Sequence, residues 1–297
     1  MQALQGALQS LQPILQSLQD GLQNVQLLLH GVLGLEHSLL GLLQEVPSVM
    51  QTMNGKVVIL AGGAGGLGPA VAEILAERGA IPVIGYLRNR ERAETLASRL
   101  KQRHGIQIPL VSGDILDASV RERLIDEAQR AGELYGLVPL VGNPARVPIE
   151  TATEQDLMDS MRTNFIGPVV LARDFAAAVG ERDGAIVFIS TMQGTAIFPG
   201  STTYAAPKAA LVHTARILAK QWKIRVNVVA PGINNAGMAE QSVRSGKYDP
   251  YLEKNVIPRF GRSEDVARAI LFFLEPDNYV TGQVLTVDGG LSLKTSL

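Results

Sequence analysis

Residues 56–79 read KVVILAGGAGGLGPAVAEILAERG, and this stretch decides the fold. Lys56 to Ala61 is a short apolar run of the kind that forms a buried strand. Gly62 to Gly68 then follows as a glycine-rich turn, and Pro69 to Arg78 reads as a helix ended by Gly79. Glycines between a strand and a helix let the main chain approach a pyrophosphate. The helix start offers it free N–H groups and a positive dipole end.

Outward from this unit the same alternation continues. Ile81 to Tyr86, Ile108 to Val111, Leu137 to Val141, Ala185 to Ile189 and Ile224 to Val229 read as strands. Helical patterns cover residues 90–104, 120–131, 154–180 and roughly 203–221. Strands alternating with helices predict an α/β fold, a Rossmann-type doubly wound parallel sheet with helices on both faces. Ligands of such sheets bind outside the carboxyl ends of the strands, so the glycine turn, Asp114, Thr191 and Pro231 are expected along one edge.

A second informative stretch is Ser190 to Lys208, STMQGTAIFPGSTTYAAPK. Two hydroxyls stand where the 185–189 strand ends, and Tyr204 is followed by Lys208 at i+4, on the same helix face. A phenol has an ordinary pKa of about 10, and a neighbouring ammonium is expected to lower it. A hydroxyl, a tyrosine and a lysine make a proton-transfer set. The bland alternative is an accidental pair on an exposed helix.

Composition narrows the chemistry. With 297 residues, 46% hydrophobic and 19% charged, the chain is globular and large enough for a well-buried core. It has no cysteine, which excludes disulfides and thiol catalysis, and His30, His37, His104 and His213 are scattered, so no metal site is expected. A net charge of −1 gives no reason to expect nucleic acid. All 27 Lys and Arg lie from Lys56 onward. Without an early basic segment, neither a secretory signal nor a transit peptide is expected, and the reading is cytoplasmic.

The charge split marks the organisation: a helical extension over 1–46, a linker over 47–54 and a catalytic body over 55–297. Leu4, Leu8, Leu11, Leu15, Leu18, Leu22, Val25 and Leu29 recur at alternating steps of 4 and 3, a coiled-coil period. Pro13, Gly6 and Gly21 oppose a continuous helix, and charged flanking positions are missing. Self-association, docking on the body, contact with a protein partner or an apolar surface, and a weakly ordered extension all stay open. The polar residues within 27–43 argue against a transmembrane span.

Taken together, residues 55 to 293 resemble the short-chain dehydrogenase/reductase family, nearest its 3-oxoacyl-carrier-protein reductase type. The family glycine motif TGxxxGxG stands here as Ala61 to Gly68. The family's adenine-side Asp-aliphatic pair is Asp114-Ile115, the helix asparagine Asn164 in TNFIGP, and YxxxK is Tyr204 and Lys208. VNVVAPG runs from Val226 to Gly232 and TGQVLTVDGG from Thr281 to Gly290.

The resemblance implies hydride transfer between a nicotinamide cofactor and a carbonyl, with Tyr204 as proton donor. Lys208 would tune the tyrosine and bind the ribose, and Asn164 would hold a relay water. Counting back from Tyr204, with Gly194 matching a family glycine, assigns the carbonyl-orienting hydroxyl to Thr191 and not Ser190. Cofactor contacts are implied for Gly62, Gly66, Leu67, Gly68, Asp114, Ile115, Gly142, Lys208, Pro231 and Gly232. The second strand ends in Tyr86-Leu87-Arg88-Asn89-Arg90, without an acid, which points to NADP over NAD through Arg88 unless the arginines only open a solvated helix. The implied substrate is a small carbonyl compound or a 3-oxoacyl thioester, and the implied assembly a homo-oligomer, tetramer or dimer.

This chain departs from the pattern in three places. The NNAG motif is replaced by Pro139 to Gly142 or, in another register, by Gly142 to Ala145. Ala236 replaces a threonine, and Ala61 replaces the first threonine of the glycine motif. A rival reading follows: a catalytically weak relative acting as a binding or assembly module through its extension.

Overall fold

The computed structural model describes residue 13 and residues 16–23, 52–145 and 147–294. The chain divides into two units, Met1–Met50 and Gln51–Leu297. In the first, residues 16–23 are helical and exposed; the rest of the expected coiled coil lies outside the described residues. Among the described residues no helix is long and apolar enough to cross a membrane.

The second unit is built on a seven-stranded sheet ordered β3-β2-β1-β4-β5-β6-β7, every pairing parallel. The strands are β1 (Lys56–Ala61), β2 (Ile81–Tyr86), β3 (Leu110–Ser112), β4 (Glu133–Pro139), β5 (Ala185–Ile189), β6 (Arg225–Pro231) and β7 (Val284–Val287). The strand order reverses between β1 and β4, and a doubly wound sheet opens its crevice at such a reversal. Helices α1 (Gly68–Glu77), α2 (Arg90–His104) and α9 (Ser263–Leu274) cover one face. Helices α3 (Ala118–Ala131), α5 (Gly167–Val179) and α6 (Thr202–Gln221) cover the other. Alternate residues of β1 serve the two layers, Val58 and Leu60 towards α1, Val57 and Ile59 towards α3 and α5. Each fully buried side chain of this size contributes roughly 1.5–3 kcal/mol, so the central strands carry much of the stability.

Some boundaries moved for physical reasons. The fourth strand runs from Glu133 to Pro139, four residues earlier at its start than the pattern suggested. Gly136 sits inside it because a Cβ there would meet Val58 Cγ2 at 3.0 Å, and Pro139 is tolerated as its last residue. The third strand is Leu110–Ser112, and the seventh, Val284–Val287, is one that the alternation does not mark. The helix expected over 154–180 is not continuous: α4 (Glu154–Met161) passes through a π-helical turn, Arg162–Ile166, into α5. Two short helices, α7 (Glu240–Arg244) and α8 (Asp249–Glu253), lie between β6 and α9.

Candidate active site

The carboxyl ends of the strands border one cleft of about 1410 Å³. Its floor begins at the glycine turn. Gly62 takes φ +84°, donates its N–H to Gly85 O at 2.9 Å, and has room for a Cβ only at 3.1 Å from Val141 N. Gly66 also takes a positive φ and lines the cleft with Leu67, whereas Gly68 packs beneath the turn, where a Cβ would lie 2.1 Å from Gly63 O. Gly65 has nothing within 4 Å of its Cβ position and faces open space. Helix α1 starts there with no side-chain cap. Gly68 N already donates to Gly65 O at 2.8 Å and Pro69 has no N–H, so what its start offers an anion is chiefly the positive end of the helix dipole.

At the end of β2, Arg88 is exposed and lines the cleft, as does Arg92 from the start of α2. Arg90 instead turns to Glu94 at 2.7 Å. Sequence reading had missed Arg92; its place in the first turn of the helix that follows β2 is the signal that could have found it. At the end of β3, Asp114 Oδ1 accepts from Leu116 N at 2.9 Å and Ile115 is buried; both line the cleft.

Gly142 lies beyond β4 where a Cβ would meet Met238 Cε at 2.9 Å, Asn164 Oδ1 at 3.2 Å and Lys208 Nζ at 3.7 Å. Pro231 and Gly232 close the row at the end of β6, and a Cβ on Gly232 would strike Asp288 Cβ at 2.5 Å. Ala236 and Met238 line the cleft from the segment that follows.

Tyr204, Lys208 and Thr191 all line this same cleft. Lys208 is 2% exposed and its Nζ donates to Ile189 O at 2.9 Å. Burial lowers its pKa to about 8 and raises that of the Tyr204 phenol to about 12. The lowering of Tyr204 by the ammonium, expected from spacing alone, is therefore not what acts in this structure; desolvation of the phenol is, and it runs the other way. The two neighbouring hydroxyls have separated tasks. Ser190 Oγ donates to Lys208 O at 2.9 Å, whereas Thr191 Oγ1 only accepts, from Gln193 N at 3.4 Å, and keeps its own proton to give. Gly194 lets this turn pack on α6, since a Cβ there would lie 2.7 Å from Ser190 Oγ.

Asn164 does not line the cleft. It is fully buried in the π-helical turn, where its Nδ2 donates to Asn143 O at 2.9 Å and its Oδ1 accepts from Asn143 N at 3.0 Å. The side chain thus grips the segment that follows Gly142. Pro168, in the first turn of α5, has no N–H to give the π-helical turn before it. A second proline, Pro207 inside α6, likewise leaves the Thr203 carbonyl without its helical donor. Ser160 Oγ supplies one at 2.6 Å and itself accepts from Asn164 Nδ2 at 3.1 Å. Thr203 Oγ1 reaches the carbonyls of Ala145 and Val147 at 2.7 and 2.9 Å. Ser160 and Thr203, unread in the sequence, therefore tie the Asn164 turn and the 143–147 segment to the helix that carries Tyr204. Among the described residues no cluster of His, Asp or Glu could hold a metal ion.

Comparison with known proteins agrees with this geometry. A family model described as enoyl-(acyl carrier protein) reductase matches residues 62–292. The chain is 33% identical over 243 residues to the 3-oxoacyl-[acyl-carrier-protein] reductase of Rattus norvegicus, covering 80% of this chain and 98% of that protein. It is 33% identical over 255 residues to a tropinone reductase homolog of Arabidopsis thaliana, covering 82% and 94%. Among solved structures, a short-chain dehydrogenase/reductase from Serratia marcescens superposes with a TM-score of 0.74 at 28% identity, covering 81% of this chain and 99% of that one.

Proposed function

This chain belongs to the short-chain dehydrogenase/reductase family of oxidoreductases, and from that premise we propose that it is an NADP-dependent carbonyl reductase in which Tyr204 gives the proton. The observation that carries the reading is the meeting of Thr191, Tyr204 and Lys208 in one cleft with an uncapped helix start at the glycine turn. The residues fit a dinucleotide: Gly65 leaves the turn open, and Arg88 and Arg92 line the far wall without an ion-pair partner among the described residues. When bound, the nicotinamide group supplies a hydride.

The chain's own residues do the rest. The Thr191 hydroxyl, held by Gln193 N, donates to the substrate carbonyl. Tyr204, its phenol kept protonated by burial, donates to the same oxygen as charge develops on it. Lys208, held by the Ile189 carbonyl and already partly neutral near pH 8, would bind the ribose of a bound cofactor and pass a proton towards Tyr204 to replace the one it gives. Asn164, at the π-helical turn, would hold the water that returns a proton to Lys208. Two hydroxyl donors in one cleft suit a carbonyl better than an alkene, so the reading follows the relatives named as 3-oxoacyl reductases rather than the enoyl reductase of the family description. The favoured substrate is a 3-oxoacyl thioester. Arg88 and Arg92 favour the 2′-phosphate of NADP.

Mixing the protein with NADPH and a carbonyl panel tests the reading. Tyr204→Phe is expected to lower turnover by at least about 10²-fold while cofactor affinity holds; full activity in that variant would remove Tyr204 from its role. The rival, an assembly module with weak catalysis, is motivated by Ala236 and by the altered 139–142 segment. It predicts no NADPH binding by calorimetry. Leu157, Met158, Ile166 and Ile217 are exposed apolar residues on α4, the π-helical turn and α6, and we assign that face to a second copy of the chain. Residues 1–46 are assigned to self-association or a protein partner, and deleting residues 1–50 tests this by mass in solution.

A further inference from the structure

Beneath the end of β3 lies a partly buried ion pair that the proton chemistry does not use. Arg121, in the first turn of α3, is 7% exposed. Its Nε donates to Asp174 Oδ2 on α5 at 2.6 Å, and its terminal nitrogen donates to Ile115 O at 2.8 Å and Leu116 O at 3.1 Å. Three guanidinium donors are spent on one carboxylate and two consecutive main-chain carbonyls of the cleft wall. Asp174 is held in turn by Arg173, through contacts of 2.9 and 2.7 Å.

Burying the Arg121 charge carries a desolvation cost that offsets much of its attraction to Asp174, whose side chain stays 25% exposed, so the pair is a poor device for stability. Its geometry is better suited to placing what it touches. Asp114, Ile115 and Leu116 all border the cleft. From above, Asp114 Oδ1 binds Leu116 N; from below, Arg121 binds the carbonyls. Ile115 also fills the gap over Gly167, where a Cβ would lie 3.2 Å from its Cδ1. The Asp114–Leu116 wall is thus fixed to α3 and α5 together.

We propose that Arg121, paired with Asp174, is a positioning residue that sets the Asp114–Leu116 wall for the adenosine half of the nucleotide. The proposal rests on the dinucleotide reading of the cleft, and it assigns Arg121 no contact with the ligand and no part in proton transfer.

The test is calorimetric titration of the full chain with NADPH and with 2′,5′-ADP, alongside thermal unfolding and steady-state kinetics. Arg121→Met is expected to weaken both ligands about tenfold, with kcat at saturating cofactor unchanged. That variant leaves Asp174 short of a partner and is expected to melt earlier. The double variant Arg121→Met/Asp174→Leu removes both charges and is expected to recover melting temperature without recovering affinity. A double variant that binds both ligands like the wild type would overturn the proposal, as would a loss in kcat with no change in affinity. If the wild type binds neither ligand, the dinucleotide reading itself falls and takes this inference with it. Wild-type binding with unchanged variants removes the inference alone.

Discussion

The hydroxyl of Ser190 donates to the main-chain carbonyl of Lys208 at 2.9 Å, fastening the end of β5 to the middle of α6. The residue that stands first after the strand is therefore a clasp, and Thr191 is the hydroxyl left with a proton to give.

This division predicts opposite outcomes for two adjacent substitutions. Thr191→Ala should lower kcat/KM by about 10²-fold or more, because a donor to the developing oxyanion is gone, while unfolding is little changed. Ser190→Ala removes the clasp from a Lys208 carbonyl that keeps its place in the helix and should cost about 0.5–1.5 kcal/mol of stability. Kinetics and urea unfolding on both variants decide; the reverse pattern would mean that Ser190 is the working hydroxyl.

Burial of Lys208 gives a pH signature in the ligand-free protein. Its pKa falls from 10.5 to about 8 on folding, so between these values the unfolded chain binds the extra proton and stability rises with pH. The contribution is complete above pH 10.5 and is lost as pH falls through about 8. Tyr204 acts oppositely: raised from 10.0 to about 12, it contributes below pH 10.0 and loses that contribution as pH climbs through about 12. Denaturant unfolding of wild type and Lys208→Met from pH 7 to 10 should show a wild-type slope that the variant lacks. Parallel curves would refute the assignment.

The glycine turn separates two kinds of glycine. Gly68→Ala would place a Cβ 2.1 Å from Gly63 O, a main-chain atom that cannot step aside, and should destabilise the protein by about 3 kcal/mol or prevent folding. Gly65→Ala meets nothing within 4 Å and keeps an ordinary φ, so its melting temperature should equal that of the wild type. A Gly68→Ala variant as stable as Gly65→Ala would show that helix α1 does not need its close seat on the turn.

The parts of this fold that sequence could show were the parts set by local pattern. Apolar runs between glycines located β1, β2 and β5, because a strand buried on both faces must be apolar throughout. The i+4 spacing brought Tyr204 and Lys208 together for the same local reason. What escaped was set by tertiary contact. Gly136 and Pro139 read as breakers, yet β4 runs through them since Val58 needs the space at 136. The π-helical turn that buries Asn164 depends on Asn143, a partner 21 residues away. Likewise, nothing local marks Thr203 as the tie to the Ala145 and Val147 carbonyls, or burial as the cause that sets the Tyr204 phenol.

Cofactor choice can be read from three arginines that differ in one respect. Arg88 and Arg92 line the cleft without an ion-pair partner among the described residues, whereas Arg90 is spent on Glu94 at 2.7 Å. A 2′-phosphate carries charge that a ribose hydroxyl lacks, so removing a guanidinium that meets it should raise KM for NADPH and leave KM for NADH alone. Arg88→Ala and Arg92→Ala should each raise the NADPH value about tenfold, and the pair together should bring the two cofactors level. Arg90→Ala should change neither, since its guanidinium is engaged in an exposed i,i+4 pair on its own helix. Initial rates with both cofactors on the three variants settle the matter. An equal rise for NADH and NADPH in Arg88→Ala would place that guanidinium on a group the two nucleotides share, and Arg88 would no longer account for cofactor choice.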